Sequence, residues 1–333
     1  MLLRLLFSLF VLSLSACSKK PSDANFDYYN RLSSQIDLPS IANYQDSKKL
    51  EAVIFESLKS ETISVIELAK LQHCELGQII ADHNSQLGKV ATSSALFRYQ
   101  IKFIQHAPSC LHSQLNEEIE RKLSRAVAIK ERTLEQYWVS MIFNDPQLSK
   151  LYLASSVSMQ QINEEDKQST KLLLSYLANV KRHIQLQEFE QIDIESLETH
   201  LAKLHRNTHL ASLLRGLYEQ VELTNKMTKI LQTIELESLC KPNQNHQKAN
   251  IMATVFNKFY ASAIQAYQSK LLTEYQYIQE DLTALWSNFQ NEPLISNRDI
   301  HPLALDDALK NASVAHVRWW QDMYKQCKIQ AGK

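Results

Sequence analysis

Apolar residues recur at spacings of three and four along most of the chain beyond residue 26. That is the 3.6-residue period of amphipathic helices, so the pattern predicts helices almost throughout. They are expected over Asp27–Ile36, Ser47–Ser60, Glu61–Gln86 and from Thr92 or Ser93 to Gln105. A turn at His106–Cys110 should then lead into a long helix from Cys110 to about Phe143, followed by a short element over Leu148–Met159. Glu164–Leu186 reads as a further helix. The acidic stretch Glu188–Glu198 holds a turn near Asp193, and helical pattern resumes to about Leu239 with a break near Asn207. The longest stripe runs from His246 to Phe289, and the last helix covers Asp306–Cys327.

The breakers agree with this pattern. Pro21, Pro39, Pro108, Pro146, Pro242, Pro293 and Pro302 fall where the stripes stop, as expected of a residue without a backbone N–H. Only four glycines occur in 333 residues, too few for the turns of a β-rich protein of this size. The expected fold is all-α: an elongated bundle of long antiparallel helices spanning residues 26–333. If the bundle divides at all, it does so near residues 187–192.

The first 25 residues break the pattern. Arg4 is the only charge before Lys19, and an apolar run interrupted by two serines fills Leu5–Leu14. A basic start, a short apolar core and small residues after it mark a signal peptide over residues 1–16. The run is shorter than the ~20 residues of a permanent membrane span. It ends Leu14-Ser15-Ala16-Cys17, which resembles the lipobox of bacterial lipoproteins. The resemblance implies that the Cys17 thiol receives a diacylglyceryl group, that cleavage precedes it, and that the new amine is acylated. Ser18, rather than Asp, after the cysteine favours the outer membrane in Gram-negative cells. Residues 17–25 then read as the acylated cysteine and a flexible tether. The partner implied is the membrane, through lipid.

Acidic and basic residues balance at 36 each, so no electrostatic footprint for nucleic acid exists. Four cysteines remain besides Cys17: Cys74, Cys110, Cys240 and Cys327. An even number in an oxidising compartment suggests two disulfides. Three pairings are possible; Cys74–Cys110 with Cys240–Cys327 is favoured because each bridge closes one half of the chain. The alternative is four separate buried thiols. No Cys-x-x-Cys spacing suggests a metal site.

Candidate chemistry is sparse. His200, His205 and His209 lie close in sequence, but Arg206 follows His205, so no HExxH arrangement exists; surface histidines are the simpler reading, and no metal is assigned. The adjacent Trp319 and Trp320 point about 100° apart on a helix. One could be an exposed binding anchor; the alternative is a helix buried on both sides. The aromatic stripe Phe256–Phe289 reads as core rather than a lipid groove. Asp82, His83 and Ser85 are triad-type residues, yet near neighbours on a helix do not face one another, and no GxSxG elbow exists. Four consecutive polar residues at Asp82–Ser85 cannot all avoid a neighbouring helix. A hydrogen-bonded cluster of Asp82 or Asn84 with Arg98 is expected across the hairpin. No catalytic residue and no cofactor is assigned.

The segment CELGQIIADHNSQLGKV followed by SSALFRYQIKFI, together with the lipobox, resembles an uncharacterised family of proteobacterial lipoproteins. The likeness is firmest over residues 70–105, and His83 departs from the more basic residue expected there. The family has no established activity, so it implies a lipoprotein and supplies no catalytic residues. Two readings of function follow. One is a non-enzymatic binding or scaffold module, anchored at the outer membrane, facing the periplasm and serving an envelope protein partner. The other is a periplasmic enzyme or lipid-handling protein with its site between helices. Polar groups converging in a deep pocket would favour the second.

Overall fold

The structure is a computed structural model. It describes residues 20–39, 71, 74–86, 88–111, 115–149, 157–241, 246–287 and 301–330. The leader, Cys17, the expected helix over Ser47–Ser60 and most of the element over Leu148–Met159 lie outside these residues.

All regular structure among the described residues is helical. We number the helices α1 (Pro21–Ser33), α2 (Glu75–Asn84), α3 (Ser93–Leu111), α4 (Glu117–Asn144), α5 (Glu164–Leu186) and α6 (Ser196–Ala202). There follow α7 (His209–Gln232), α8 (Leu236–Leu239), α9 (Gln247–Val255), α10 (Gln265–Trp286) and α11 (Leu305–Cys327). Between α9 and α10 the helix continues without a break as a π-helix over Phe256–Ile264. The expected long helix is therefore continuous from Gln247 to Trp286 but wound more loosely at its middle. Among the described residues no helix is long and apolar enough to cross a membrane.

Start signals are made by side chains. Asn116 accepts from the Ile119 N–H at 2.9 Å and opens α4, whose first turn carries Glu117, Glu118 and Glu120. Acidic groups there complement the positive end of the helix dipole. Asn163 caps α5 in the same way, through the Glu165 and Asp166 N–H groups. Gln187 ends α5 in the left-handed region at φ 57°.

Several boundaries differ from the sequence expectation. The long helix α4 opens at Glu117 rather than Cys110, where the Asn116 cap fixes its start. Pro108 lies inside α3, which continues to Leu111, so no turn occupies His106–Cys110. The proline falls in the last turn, where its missing N–H removes only one bond, and the buried Ala107 and Cys110 hold the turn in place. The first helix also starts earlier than the expected Asp27, so residues 21–25 are helical. Pro21 is the first residue of α1, a position where its fixed φ suits the helix and its N–H is not needed. The Asp23 carboxylate accepts from the Lys20 N–H at 2.8 Å.

The largest core cluster joins α3, α4, α5, α6, α7, α10 and the start of α11. It draws side chains from both sides of residues 187–192, so that segment turns the chain within one core. A second cluster gathers α1, the end of α7, α9, the π-helix and the end of α11. A third joins α2, α3 and α4. The α10 helix runs antiparallel to α11, as successive contacts at Gln268–Ser313 and Gln279–Asp306 require. It also runs antiparallel to α7.

Cys74 and Cys110 are bonded with Cα atoms 5.7 Å apart, and Cys240 and Cys327 at 5.2 Å. This is the pairing favoured from the sequence. The first bridge ties α2 to the end of α3; the second ties the end of α8 to the end of α11.

Helices α7 and α10 approach closely at Gly216. A Cβ there would stand 2.8 Å from the Tyr267 hydroxyl and 2.9 Å from a Leu271 methyl. Tyr267 is not free to withdraw, because its hydroxyl donates to the Met159 carbonyl at 2.7 Å. Gly216→Val should therefore destabilise the protein by about 3 kcal/mol, the upper range for overpacking. Urea unfolding checks this; a change below about 1 kcal/mol would show that α7 and α10 can separate freely.

Candidate functional site

Three places concentrate polar chemistry. The first is an open groove with a volume of about 610 Å³. Its apolar floor comes from Ile104 and Pro108 of α3, Val127 of α4 and Phe189. Its rim carries Glu131, Glu188, Glu190 and His183, and among the described residues no lysine or arginine lines it.

The groove wall is fixed by hydrogen bonds. Gln105 Nε2 donates to the carbonyls of Phe189 and Ile192, each at 2.9 Å. That pins the 3₁₀ turn Phe189–Gln191 against α3. An Arg182 guanidinium nitrogen lies 3.2 Å from His183 Nε2. Arginine can only donate, so Nε2 accepts and Nδ1–H donates to Glu188 at 2.9 Å. Among the described residues neither Glu131 nor Glu190 has an ion-pair or hydrogen-bond partner. Burial beside the apolar floor pushes the Glu131 carboxyl above the usual range.

The second place is a buried network at the π-helix. His316 is fully buried and sits 4.2 Å, centroid to centroid, from Tyr260. Trp320 Nε1 lies 3.3 Å from His316 Nε2, and an indole N–H can only donate. Nε2 is therefore an acceptor, which the Tyr28 hydroxyl also approaches at 3.0 Å. Nδ1–H then donates to Thr228 Oγ1 at 3.0 Å, whose own hydroxyl donates to the Thr224 carbonyl. Next to it, Gln268 Nε2 donates to Thr224 Oγ1 at 2.9 Å, and Gln220 Nε2 donates to Asn25 Oδ1 at 3.0 Å. Burial lowers the His316 pKa to about 3 and raises that of Tyr260 to about 12.

In the third place, Lys167 Nζ lies 2.9 Å from Glu274 Oε1. His209 Nε2 is 3.7 Å from the other carboxylate oxygen, and both residues are buried. Burial lowers the His209 pKa, against the pull of Glu274.

Among the described residues neither buried cluster opens into the groove, and no nucleophile stands beside a base in it. Among the described residues no three His, Cys, Asp or Glu side chains are arranged to hold a metal ion. The three histidines considered together in the sequence part company: His200 stacks on Tyr176, His205 is exposed, and His209 turns to Glu274. Arg206, at φ 63°, breaks the helix between them.

The expected cluster of Asp82, Asn84 and Arg98 does not form. Arg98 pairs with Glu198, and Asp82 accepts from Gln78 Nε2 at 2.6 Å, one turn away on its own helix. The polar residue that does meet α3 is His83, stacked on Tyr99 with ring centroids 3.6 Å apart. The phase of α2 turns His83 inward and leaves Asp82 exposed. Trp319 and Trp320 are both buried, so neither is an exposed anchor. Helices α7, α8, α9 and α10 all pack on α11, enough to cover both rings.

Sequence reasoning missed the groove and the His316 network. A weak signal for the second exists: Gln220, Thr224 and Thr228 recur every four residues along an otherwise apolar face of α7. The groove's residues come from three distant segments and share no motif.

No curated protein and no solved structure matches the chain. A family described as protein of unknown function (DUF3080) matches residues 27–331. The match spans nearly every described helix, groove and buried network included, and the chain therefore belongs to the DUF3080 family.

Proposed function

We propose that this protein is a non-enzymatic binding or scaffold module of the bacterial envelope, held at the outer membrane through acyl chains on Cys17 and facing the periplasm. Leu14–Cys17 supplies the sequence for lipid attachment. The observation that carries the reading is the pairing of all four remaining cysteines into two disulfides. Bridges of this kind persist in oxidising compartments and are rare in reducing ones. A module with a preformed open groove, and no nucleophile–base pair lining it, is suited to holding a partner.

Cys17→Ser should abolish acylation and move the protein out of the outer-membrane fraction, with its fold intact. Intact-mass spectrometry and membrane fractionation check this. A variant that still carries acyl chains, or a wild-type protein without them, would refute the anchoring.

A further inference from the structure

We propose that the groove between α3, α4 and the end of α5 binds a basic amphipathic peptide segment of a partner protein. The proposal names a partner chemistry for the binding module above; it rests on that binding reading and does not depend on the lipid anchor.

Charge complementarity identifies the occupant. Three glutamates rim an apolar floor, and among the described residues no lysine or arginine lines the groove to neutralise them. Glu131 and Glu190 are unengaged among the described residues. Nearby, Glu198 is paired with Arg98, and Glu195 with Lys102 at 2.5 Å. A carboxylate beside apolar surface gains from an incoming cation. The floor of Ile104, Pro108, Val127 and Phe189 requires that the cation be accompanied by apolar groups.

Shape decides between a small molecule and a peptide. Pockets for small molecules enclose most of the ligand surface. This groove is open, and Glu131, Gln187, Glu188, Glu190 and Gln191 on its rim are exposed. An extended or helical segment laid across it could place apolar side chains on the floor and basic ones on the rim. Preorganisation favours binding, because the Gln105 bonds and the His183–Glu188 pair hold one wall in place before any partner arrives.

The test is a titration of the full chain with a short fluorescein-labelled peptide of alternating lysine and leucine, read by anisotropy. Saturable binding that weakens with salt is expected. The double variant Glu131→Gln with Glu190→Gln should bind about ten-fold more weakly, a loss of ~1.4 kcal/mol. Val127→Ser should also weaken binding, and a peptide with serine in place of leucine should bind poorly. The glutamine changes are isosteric and exposed, so their unfolding midpoint should match wild type. Unchanged affinity in the double variant, or equal affinity for a peptide with glutamate in place of lysine, would overturn the proposal. Either failure would leave the acylation test of Cys17 unaffected, so the two readings can fall separately.

Discussion

Removing the Cys240–Cys327 bridge should lower the unfolding free energy by about 4.5 kcal/mol. The bridge closes a separation of 87 residues. The chain-entropy argument gives ~4.6 kcal/mol for a loop of that length, and ~3.8 kcal/mol for the 36-residue separation of Cys74 and Cys110. The longer bridge also joins two helix ends that both contribute to the second core cluster, with Cys240 and Cys327 themselves buried in it. Opening it frees the ends of α8 and α11 together. The double variant Cys240→Ser with Cys327→Ser, compared with wild type by urea unfolding, checks the magnitude. A loss under about 1 kcal/mol would mean that the unfolded chain is already constrained without the bridge. Reductant should reproduce the loss in wild type and have less effect on the variant.

Acid should destabilise the protein through His316. The folded state holds this imidazole neutral, with a pKa of about 3 caused by burial. The ordinary value in an unfolded chain is about 6.5. Above pH ~6.5 neither state binds the proton, and stability is at its full value. Between ~6.5 and ~3 the unfolded state binds one proton more, so stability falls by about 1.4 kcal/mol per pH unit. Geometry opposes the charge as well, since a proton on Nε2 would face the Trp320 N–H. His316→Gln keeps an acceptor and a donor but cannot titrate, so its stability should fall less steeply with acid, by one proton. His316→Leu should cost at least about 3 kcal/mol at neutral pH, because Trp320, Tyr28 and Thr228 each lose a partner in the core. Unfolding free energies measured from pH 7 to pH 4 separate these outcomes. A slope for His316→Gln equal to wild type would mean that His316 takes up its proton while folded.

Much of the fold was legible in the sequence because helices declare themselves locally. The stripes of α5, α7 and α11 and the break near Asn207 follow from period and caps within a few residues. The disulfide pairing followed from where each cysteine divides the chain. The failures have a common cause, which is rotational phase. Asp82, His83 and Asn84 differ by about 100° per step, and the pattern did not say which of them faces Tyr99. Trp319 and Trp320 posed the same question, and the answer depended on how many helices wrap α11. Pro108 misled because a breaker in the last turn does not end a helix whose final residues are buried. The groove could not be read at all, since Ile104, Val127 and Phe189 meet only after three helices have packed.

The early start of α1 has a consequence for reach. If Cys17 carries the lipid, only Ser18, Lys19 and Lys20 separate it from the first helical residue, Pro21. Chain spans at most ~3.5 Å per residue, so Pro21 and the start of α1 would then stay within roughly 15 Å of the bilayer surface. The α1 helix is not a loose arm: Tyr28 and Leu32 are fully buried in the second core cluster. Under that anchor, so short a leash would leave the body little freedom to turn, and the faces beside α1 would look towards the lipid.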